Sequence, residues 1–277
     1  MRALRPVTRG RQAASSEVFM TQTVKKMARQ IPDGPIFSKR NSFRNPLIMA
    51  HRGGNTFAPP NSLPAFEACC RLGVWAVETD IRFTSDGVAV CHHDADISRM
   101  TDGEGAIASM TFSELQKFRI DVGPGADTLP ADLLRVPTYD SYLDLCMTWG
   151  IVPFIEVKED DGIDVIIDGL RKRSMERYAV ISSAKMPHLR EARRLSPGVF
   201  IHHIFSSKER FDELYELGYA GLSFKIADPA DCPPGLPGEV HEAGLRICLR
   251  AADTPEDLRK MISLGLDYQP SNCVFGL

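Results

Sequence analysis

The 277-residue sequence lacks the features that mark several large protein classes. It has no apolar run long enough to span a membrane, and no Cys-x-x-Cys pair of the kind that holds structural zinc. Its first 45 residues lack the apolar centre of a secretory signal. The formal net charge is only −3, so the whole molecule is not a polyanion binder. We therefore expect no membrane span and no nucleic-acid partner.

The seven cysteines are scattered along the chain and form no framework of paired positions. Most of them lie inside apolar runs, such as residues 89–91 and 247–249. An odd number of buried thiols is typical of a reducing compartment. We therefore expect free cysteines and a cytoplasmic protein.

What the sequence contains is the composition of one large globular domain, with 43% hydrophobic and 25% charged residues. Residues 1–45 stand apart, because they carry ten Lys and Arg residues against two acidic ones. We expect them to form an N-terminal extension, interpreted as a disordered tail or as the product of a start codon placed too far upstream. An organelle-targeting peptide and a tether to anionic surfaces are the alternatives.

From Pro46 onward, segments typical of strands alternate with segments typical of helices. The first predicted helix ends at Leu72, with Asn61 as its expected N-cap. The apolar strand candidates are residues 47–50, 76–81, 88–91, 152–157, 179–182, 199–204, 221–224 and 246–249.

Repeated strand–helix units predict parallel strands with helices outside them. Eight units favour a closed barrel, so the predicted fold class is α/β, a (β/α)8 TIM barrel over residues 46–277. Residues 95–135 interrupt the alternation and are interpreted as a small insertion after strand 3. An open doubly wound sheet is the alternative, although its usual GxGxxG turn is absent.

Polar side chains fall repeatedly where the predicted strands end. In a barrel of parallel strands these ends lie together and carry the reacting groups. The residues are His51 and Arg52 after the first strand, Glu78 and Asp80 on the second, His93 after the third, Glu156 and Lys158 on the fourth, and Arg250 after the eighth.

The spacing of these residues suggests a site for a cation. Side chains two positions apart on a strand share a face, so Glu78 points with Asp80 and Glu156 with Lys158. Three inward carboxylates would repel one another, and a divalent cation such as Mg²⁺ or Ca²⁺ would relieve the repulsion. Taken alone, solvated charges on an exposed strand or a salt bridge would explain either pair equally well.

The two histidines at strand ends suit proton transfer near neutral pH. His51 precedes Arg52 and a pair of glycines that allow the backbone to approach a ligand closely. His93 follows a second apolar run. Arg52 and Lys158 would then bind phosphate oxygens. A single histidine in such a position is more often structural, so the inference depends on the pair.

These residues belong to a longer pattern that resembles the glycerophosphodiester phosphodiesterase family. The resemblance covers roughly residues 47–267 and is densest up to Lys158. The matching segments are residues 51–53, 58–62, 65–66, 73, 78–80, 84–87, 93–94, 99–103, 136–138, 155–158 and 181–183.

The resemblance implies a (β/α)8 barrel in which Glu78, Asp80 and Glu156 bind one divalent cation, Mg²⁺ or Ca²⁺. It implies that His51 and His93 are the acid–base pair. The expected partner is a small phosphodiester. By similarity, a substrate hydroxyl beside the phosphate attacks phosphorus to give a cyclic phosphate, which water opens to a phosphomonoester.

Three places depart from the family pattern. Pro60 stands where the family has Glu, and Arg250 stands where it has Trp, with Asp253 at its following Asn. The closing run G-V-D-G-I-x-T-D is replaced by residues 265–272, which end in Asn272. A guanidinium in place of an indole ring favours a more polar or anionic substrate, such as a sugar phosphodiester, over glycerophosphocholine. An Arg250 turned outward onto Asp253 is equally compatible with the sequence.

Two other functions are compatible with the same residues. One is a phospholipase D-like lyase that stops at the cyclic phosphate, but that type is secreted and disulfide-bonded. The other is a barrel that binds a phosphodiester without catalysis, suggested by the altered C-terminal motifs. Against it, the five positions inferred for catalysis and metal binding are all intact.

Overall fold

The computed structural model describes residue 29, residues 34–37 and residues 47–274. Within this part of the chain, one sheet of nine strands is surrounded by helices. The strands are β1 (Ile48–Ala50), β2 (Ala76–Phe83), β3 (Ala89–Cys91), β4 (Val152–Val157), β5 (Val180–Ser183), β6 (Phe200–His203), β7 (Ala220–Ser223), β8 (Arg246–Cys248) and β9 (Gln269–Ser271).

Eight of these strands are parallel and follow the order β8-β7-β6-β5-β4-β2-β1-β9. A parallel bridge joins Ala252, which follows β8, to Ser271 of β9 and nearly closes the sheet on itself. The predicted (β/α)8 barrel is therefore confirmed.

The assignment of one predicted strand to the barrel is wrong. The third candidate forms β3, which pairs antiparallel with β2 as a hairpin arm outside the barrel. The eighth barrel strand is instead β9, which pairs with β1. Its sequence Gln269-Pro270-Ser271 is short and shows no alternation of apolar and polar residues, although all three residues are buried. Its pairing with β1 defines it as a strand. The hydrophobic pattern therefore gave no signal for it.

The helices lie outside the barrel and pack their apolar faces on the strands. The first begins after Ser62, whose hydroxyl accepts a hydrogen bond from the Ala65 amide, and ends at the left-handed Gly73. Ser62 is thus the N-cap, and the assignment of that role to Asn61 is wrong. The helices are α1 (Leu63–Leu72), α2 (Phe112–Leu115), α3 (Tyr139–Trp149), α4 (Ile163–Lys172), α5 (Met186–Leu195), α6 (Phe211–Leu217), α7 (Leu236–Glu242) and α8 (Pro255–Ser263).

The segment between β3 and α3, predicted as an insertion, contains short helical turns and α2. It encloses a small hydrophobic cluster of its own, separate from the core of the barrel. The cluster consists of Val90, Ile97, Ile107, Leu115, Ile120, Leu134 and Val136. This local packing holds the segment against the end of the β2–β3 hairpin.

Alternation along β2 and β4 separates two apolar layers. Val77 and Ile81 point outward into the core shared with the helices, whereas Ala76 and Phe154 point into the barrel. The inward positions that follow Ala76 on β2 are occupied by carboxylates. The barrel interior therefore changes from apolar at the amino ends of the strands to polar at their carboxyl ends.

Residues 34–37, which belong to the predicted extension, cover the amino ends of the strands. Ile36 is fully buried, and its carbonyl accepts a hydrogen bond of 2.8 Å from the Trp75 indole. The Phe37 ring lies 5.0 Å from that of Phe200, and the Arg246 guanidinium stacks over it at 4.0 Å. The remaining extension, apart from residue 29, lies outside the described residues.

All seven cysteines are free and buried. Among the described residues, the helices are too short or too polar to serve as membrane spans.

Replacing Ile36 by Ala should lower the free energy of unfolding by about 2–5 kcal/mol, because a buried side chain leaves a cavity behind. Urea unfolding followed by circular dichroism measures the change. Val165 is 44% exposed, so Val165→Ala serves as the control and should change stability by no more than about 0.5 kcal/mol. Equal stabilities of the two variants would show that residues 34–37 do not seal the barrel.

Candidate active site

A cavity of about 460 Å³ opens at the carboxyl ends of the barrel strands. Seven of the eight site residues predicted from the sequence line it, and the eighth, Asp80, lies beneath them. The seven are His51, Arg52, Glu78, His93, Glu156, Lys158 and Arg250.

Three carboxylates converge in the wall of this cavity. Glu78 and Asp80 point inward from β2, and the pairing of β2 with β4 places Glu156 beside Asp80. One oxygen from each of the three lies within 4.8 Å of the others. The expected shared face and close approach are therefore present, and Glu78 and Asp80 are almost completely buried.

Two cations balance part of this negative charge. The Lys158 ammonium lies 3.0 Å from Asp80 and also contacts Glu156, and the Arg52 guanidinium lies 3.4 Å from Asp80. Burial favours the neutral form of Asp80, but Lys158 and Arg52 outweigh it and lower the pKa of this carboxyl. Asp80 is therefore the permanent anion of the cluster.

Glu78 behaves differently, because burial and the neighbouring carboxylates Asp80 and Glu156 raise its pKa well above the ordinary value. Burial also raises the pKa of Glu156, against the opposing effect of Lys158. Such a cluster of hard oxygen donors with excess negative charge fits a divalent cation. A bound cation would offset the burial and the repulsion that raise the pKa of these two carboxyls.

The turn after β1 shapes this site through its backbone. Arg52 adopts a left-handed conformation with φ of 54°, which directs its amide toward Glu78 at 2.7 Å. Gly53 follows with φ of 78°, and a Cβ at this position would lie 2.6 Å from the Phe66 ring. The glycine is required here because the turn packs directly on α1.

Asn61 is a site residue whose role the sequence did not reveal. Its amide nitrogen donates to Asp80 at 2.9 Å, and its oxygen accepts from the Thr79 hydroxyl at 2.8 Å. It has a left-handed φ of 56°, and its backbone amide bonds the Arg52 carbonyl. The only local signal for Asn61 is the Asn-Ser pair before α1, and this pair predicts a helix cap and not a contact with Asp80.

His51 lines the cavity and contacts Asn272, which follows the last strand of the barrel. Its Nδ1 lies 2.7 Å from the side-chain oxygen of Asn272, just after β9. Removal from solvent and the charge of Arg52 lower the pKa of His51 to about 4. The imidazole is therefore neutral at physiological pH and can accept a proton.

His93 reaches the same cavity from the hairpin arm β3 and not from a barrel strand. Its Nδ1 lies 2.7 Å from the carboxylate of the adjacent Asp94, and Arg82 donates to its carbonyl at 2.9 Å. Burial lowers the pKa of His93, while Asp80 and Asp94 oppose this effect. His93 thus has an anionic partner, in contrast to His51.

Arg250 combines both arrangements considered from the sequence. It lines the cavity, and its guanidinium donates to Asp253 at 2.6 Å. Lys225 and Phe205 also line the cavity, with the Lys225 ammonium 5.9 Å from the Phe205 ring. Besides Lys158 and Arg52, the cavity therefore has two further cations and an aromatic ring in its lining.

Two further residues at the cavity floor were not singled out from the sequence. Ser182 is buried, and its hydroxyl has no hydrogen-bond partner among the described residues. His202 contacts the Tyr268 hydroxyl at 2.5 Å, and burial lowers its pKa to about 3. A neutral His202 is consistent with a structural role in the barrel interior.

Comparison with known sequences finds similar proteins over most of the chain. The profile of the glycerophosphoryl diester phosphodiesterase family matches residues 51–267. A glycerophosphodiester phosphodiesterase from Caldanaerobacter subterraneus is 26% identical over 230 residues, covering 80% of this chain and 91% of the relative. The human glycerophosphodiester phosphodiesterase 1 is 35% identical over 115 residues, which are 40% of this chain and 33% of that protein.

Solved structures share the fold. A phosphodiesterase from Oleispira antarctica, determined with its product sn-glycerol-3-phosphate, superposes with a TM-score of 0.70 at 23% identity, covering 82% of this chain and 93% of that one. A glycerophosphodiester phosphodiesterase from Agrobacterium tumefaciens gives a TM-score of 0.69 at 24% identity, covering 81% and 95%.

The titration of individual histidines tests the electrostatics of this site. His51 should titrate near pH 4, whereas His241, which is paired with Asp267, should titrate above its ordinary value of 6.5. Nitrogen-15 NMR of labelled protein across a pH range that extends well below the expected His51 midpoint measures both groups in one sample. A His51 midpoint equal to or above that of His241 would contradict the described environment.

Proposed function

The chain belongs to the glycerophosphoryl diester phosphodiesterase family, and we infer that this phosphoric diester hydrolase acts by two-histidine acid–base catalysis beside one divalent cation. The observation that carries the proposal is the convergence of Glu78, Asp80 and Glu156 within 4.8 Å, in the wall of a cavity that both His51 and His93 line. The preferred substrate is a small glycerophosphodiester-like or sugar phosphodiester.

The three carboxylates would hold the cation. Their oxygen donors suit Mg²⁺ or Ca²⁺ equally well. When bound, the cation supplies positive charge that favours the phosphoryl group in its more negative transition state. The raised pKa of Glu78 supports this assignment, because a carboxyl that retains its proton when buried gains most from a cation.

Arg52 and Lys158 supply the fixed positive charge that orients the phosphate. Both line the cavity and both contact Asp80, so their side chains are held in place before substrate arrives. Non-bridging phosphate oxygens that accept hydrogen bonds from them gain charge-assisted contacts. These contacts strengthen as negative charge develops on those oxygens.

The reaction runs in two steps that use the histidines in opposite senses. A hydroxyl of the substrate adjacent to the phosphate attacks phosphorus, one imidazole takes its proton, and the other protonates the departing alcohol oxygen as its bond to phosphorus breaks. Water then attacks the cyclic phosphate and opens it to a phosphomonoester, with the two imidazoles exchanging roles. Each step returns the pair to the protonation state that the next step requires.

Two cavities share Arg52 and His93 as lining residues. A smaller one of about 270 Å³ also contains Arg52 and His93 and is lined in addition by Asn61, His92 and Arg99. A phosphorus atom held beside Arg52 and His93 would thus have room for one alcohol group on each side. Lys225 and Arg250 on the larger side favour an alcohol that is polar or anionic over one that carries choline.

Replacing either His51 or His93 by Ala should lower turnover by on the order of 10²–10⁴ with the fold retained, because each removes one proton-transfer group. Phosphorus NMR on a panel of diesters differing only in their alcohols measures the products. His241→Ala, which changes a histidine outside the cavity, should remain near the wild-type rate.

The same panel distinguishes the alternatives. A cyclic phosphate that persists would identify a lyase, and failure of the wild-type protein to turn over any diester would indicate a binding barrel. Near-normal turnover in His51→Ala or His93→Ala would remove that histidine from the mechanism.

Chelation of divalent cations with EDTA should abolish turnover, and added Mg²⁺ or Ca²⁺ should restore it. Glu156→Gln replaces one carboxylate of the cluster by a neutral amide. The cation concentration that gives half-maximal turnover should therefore rise by at least about 10-fold. Asp161 is exposed, so Asp161→Asn is the matched control. Full turnover after exhaustive chelation would exclude the proposed cation.

A further inference from the structure

Residues that depart from the family pattern are connected to one another in the structure. The Arg250 guanidinium donates to one oxygen of Asp253 at 2.6 Å, and the Asn272 amide nitrogen donates to the other at 2.6 Å. The Asn272 oxygen then lies 2.7 Å from His51 Nδ1. A continuous chain of hydrogen bonds therefore leads from Arg250 to His51.

The chain is built across the seam where the barrel closes. Arg250 and Asp253 follow β8, whereas Asn272 follows β9, and the bridge between Ala252 and Ser271 joins the two segments. The backbone N–H of Asn272 also donates to the Ala252 carbonyl at 2.8 Å. The backbone therefore fixes the distance between the Asp253 and Asn272 side chains.

The chemistry of each group sets the direction of every bond in this chain. A carboxylate only accepts hydrogen bonds, so the NH₂ group of Asn272 must face Asp253. The amide oxygen must then face His51, and since this oxygen also only accepts, His51 Nδ1 must carry a hydrogen. In the neutral ring the other nitrogen, Nε2, therefore holds the lone pair. Among the described residues, Nε2 has no hydrogen-bond partner.

We propose that Asp253 and Asn272 are positioning residues that hold neutral His51 with its proton on Nδ1, and that His51 thereby acts as the base that takes the hydroxyl proton in the first step. Arg250 holds the Asp253 carboxylate in place at the outer end of the chain. This inference rests on the proposed function, because the base is useful only if a diester is cleaved.

The partners of the two histidines support this division of roles. His51 contacts a neutral amide, which raises the pKa of the ring less than burial and the charge of Arg52 lower it. His93 contacts the Asp94 carboxylate, which stabilises a protonated ring.

The tautomer can be measured on the free wild-type protein, without substrate. Nitrogen-15 NMR at neutral pH should show the His51 Nδ1 with the shift of a protonated nitrogen and Nε2 with that of an unprotonated one. The opposite pattern, with the proton on Nε2, would overturn the proposal. This measurement is independent of turnover, so an inactive wild-type protein would contradict the proposed function and not the tautomer.

A variant then tests whether the chain matters for the reaction. Asp253→Ala removes the acceptor that orients Asn272, so His51 should become a mixture of tautomers and kcat should fall about 10- to 100-fold, with KM changed by less than about 2-fold. The matched control is Asp168→Ala, which breaks an Arg–Asp pair of the same spacing and exposure on α4.

Asp253→Glu keeps a carboxylate that can reach Asn272 and should recover part of the lost kcat. A loss shared equally by Asp168→Ala would indicate only general destabilisation and would overturn the proposal. So would an unchanged kcat and an unchanged His51 spectrum in Asp253→Ala.

Discussion

The burial of three carboxylates in one wall of the barrel is the constraint to which the rest of the site responds. Glu78, Asp80 and Glu156 would repel one another strongly away from water. Lys158 on the same face of β4 and Arg52 from the first turn offset part of this charge. Burial and the remaining excess of negative charge raise the pKa of Glu78, and the cluster is a candidate site for a cation. The left-handed turn at Arg52 brings its backbone amide to Glu78 and its guanidinium to Asp80.

The two ends of the barrel divide stability from chemistry. At the amino ends of the strands, Ile36 and Phe37 cover an aromatic interior that includes Trp75 and Tyr268. This aromatic packing fills the interior at that end of the barrel. At the carboxyl ends the inward positions of β2 are charged, and they lie in the wall of the cavity.

The two histidines reach the same cavity along different structural routes. His51 follows a barrel strand and is oriented across the closing seam by Asn272. His93 lies on a hairpin arm, supported by Asp94 and Arg82. A neutral partner for one ring and an anionic partner for the other give chemically similar side chains different proton affinities. Such a difference favours one neutral and one protonated ring, which is the state in which the proposed first step begins.

The sequence by itself predicted the barrel and the shared faces of Glu78 with Asp80 and of Glu156 with Lys158, because these follow from short periodicities. Alternating strands and helices predicted the parallel sheet, and the two-residue spacing of Glu78 and Asp80 placed them on one face. Only the tertiary structure decided that β3 lies outside the barrel, that the polar segment Gln269–Ser271 closes it, and that Asn61 and Asn272 hold Asp80 and His51. Those contacts join residues 19 and 221 positions apart, and no local pattern encodes a hydrogen bond whose partners meet only after the sheet has curved.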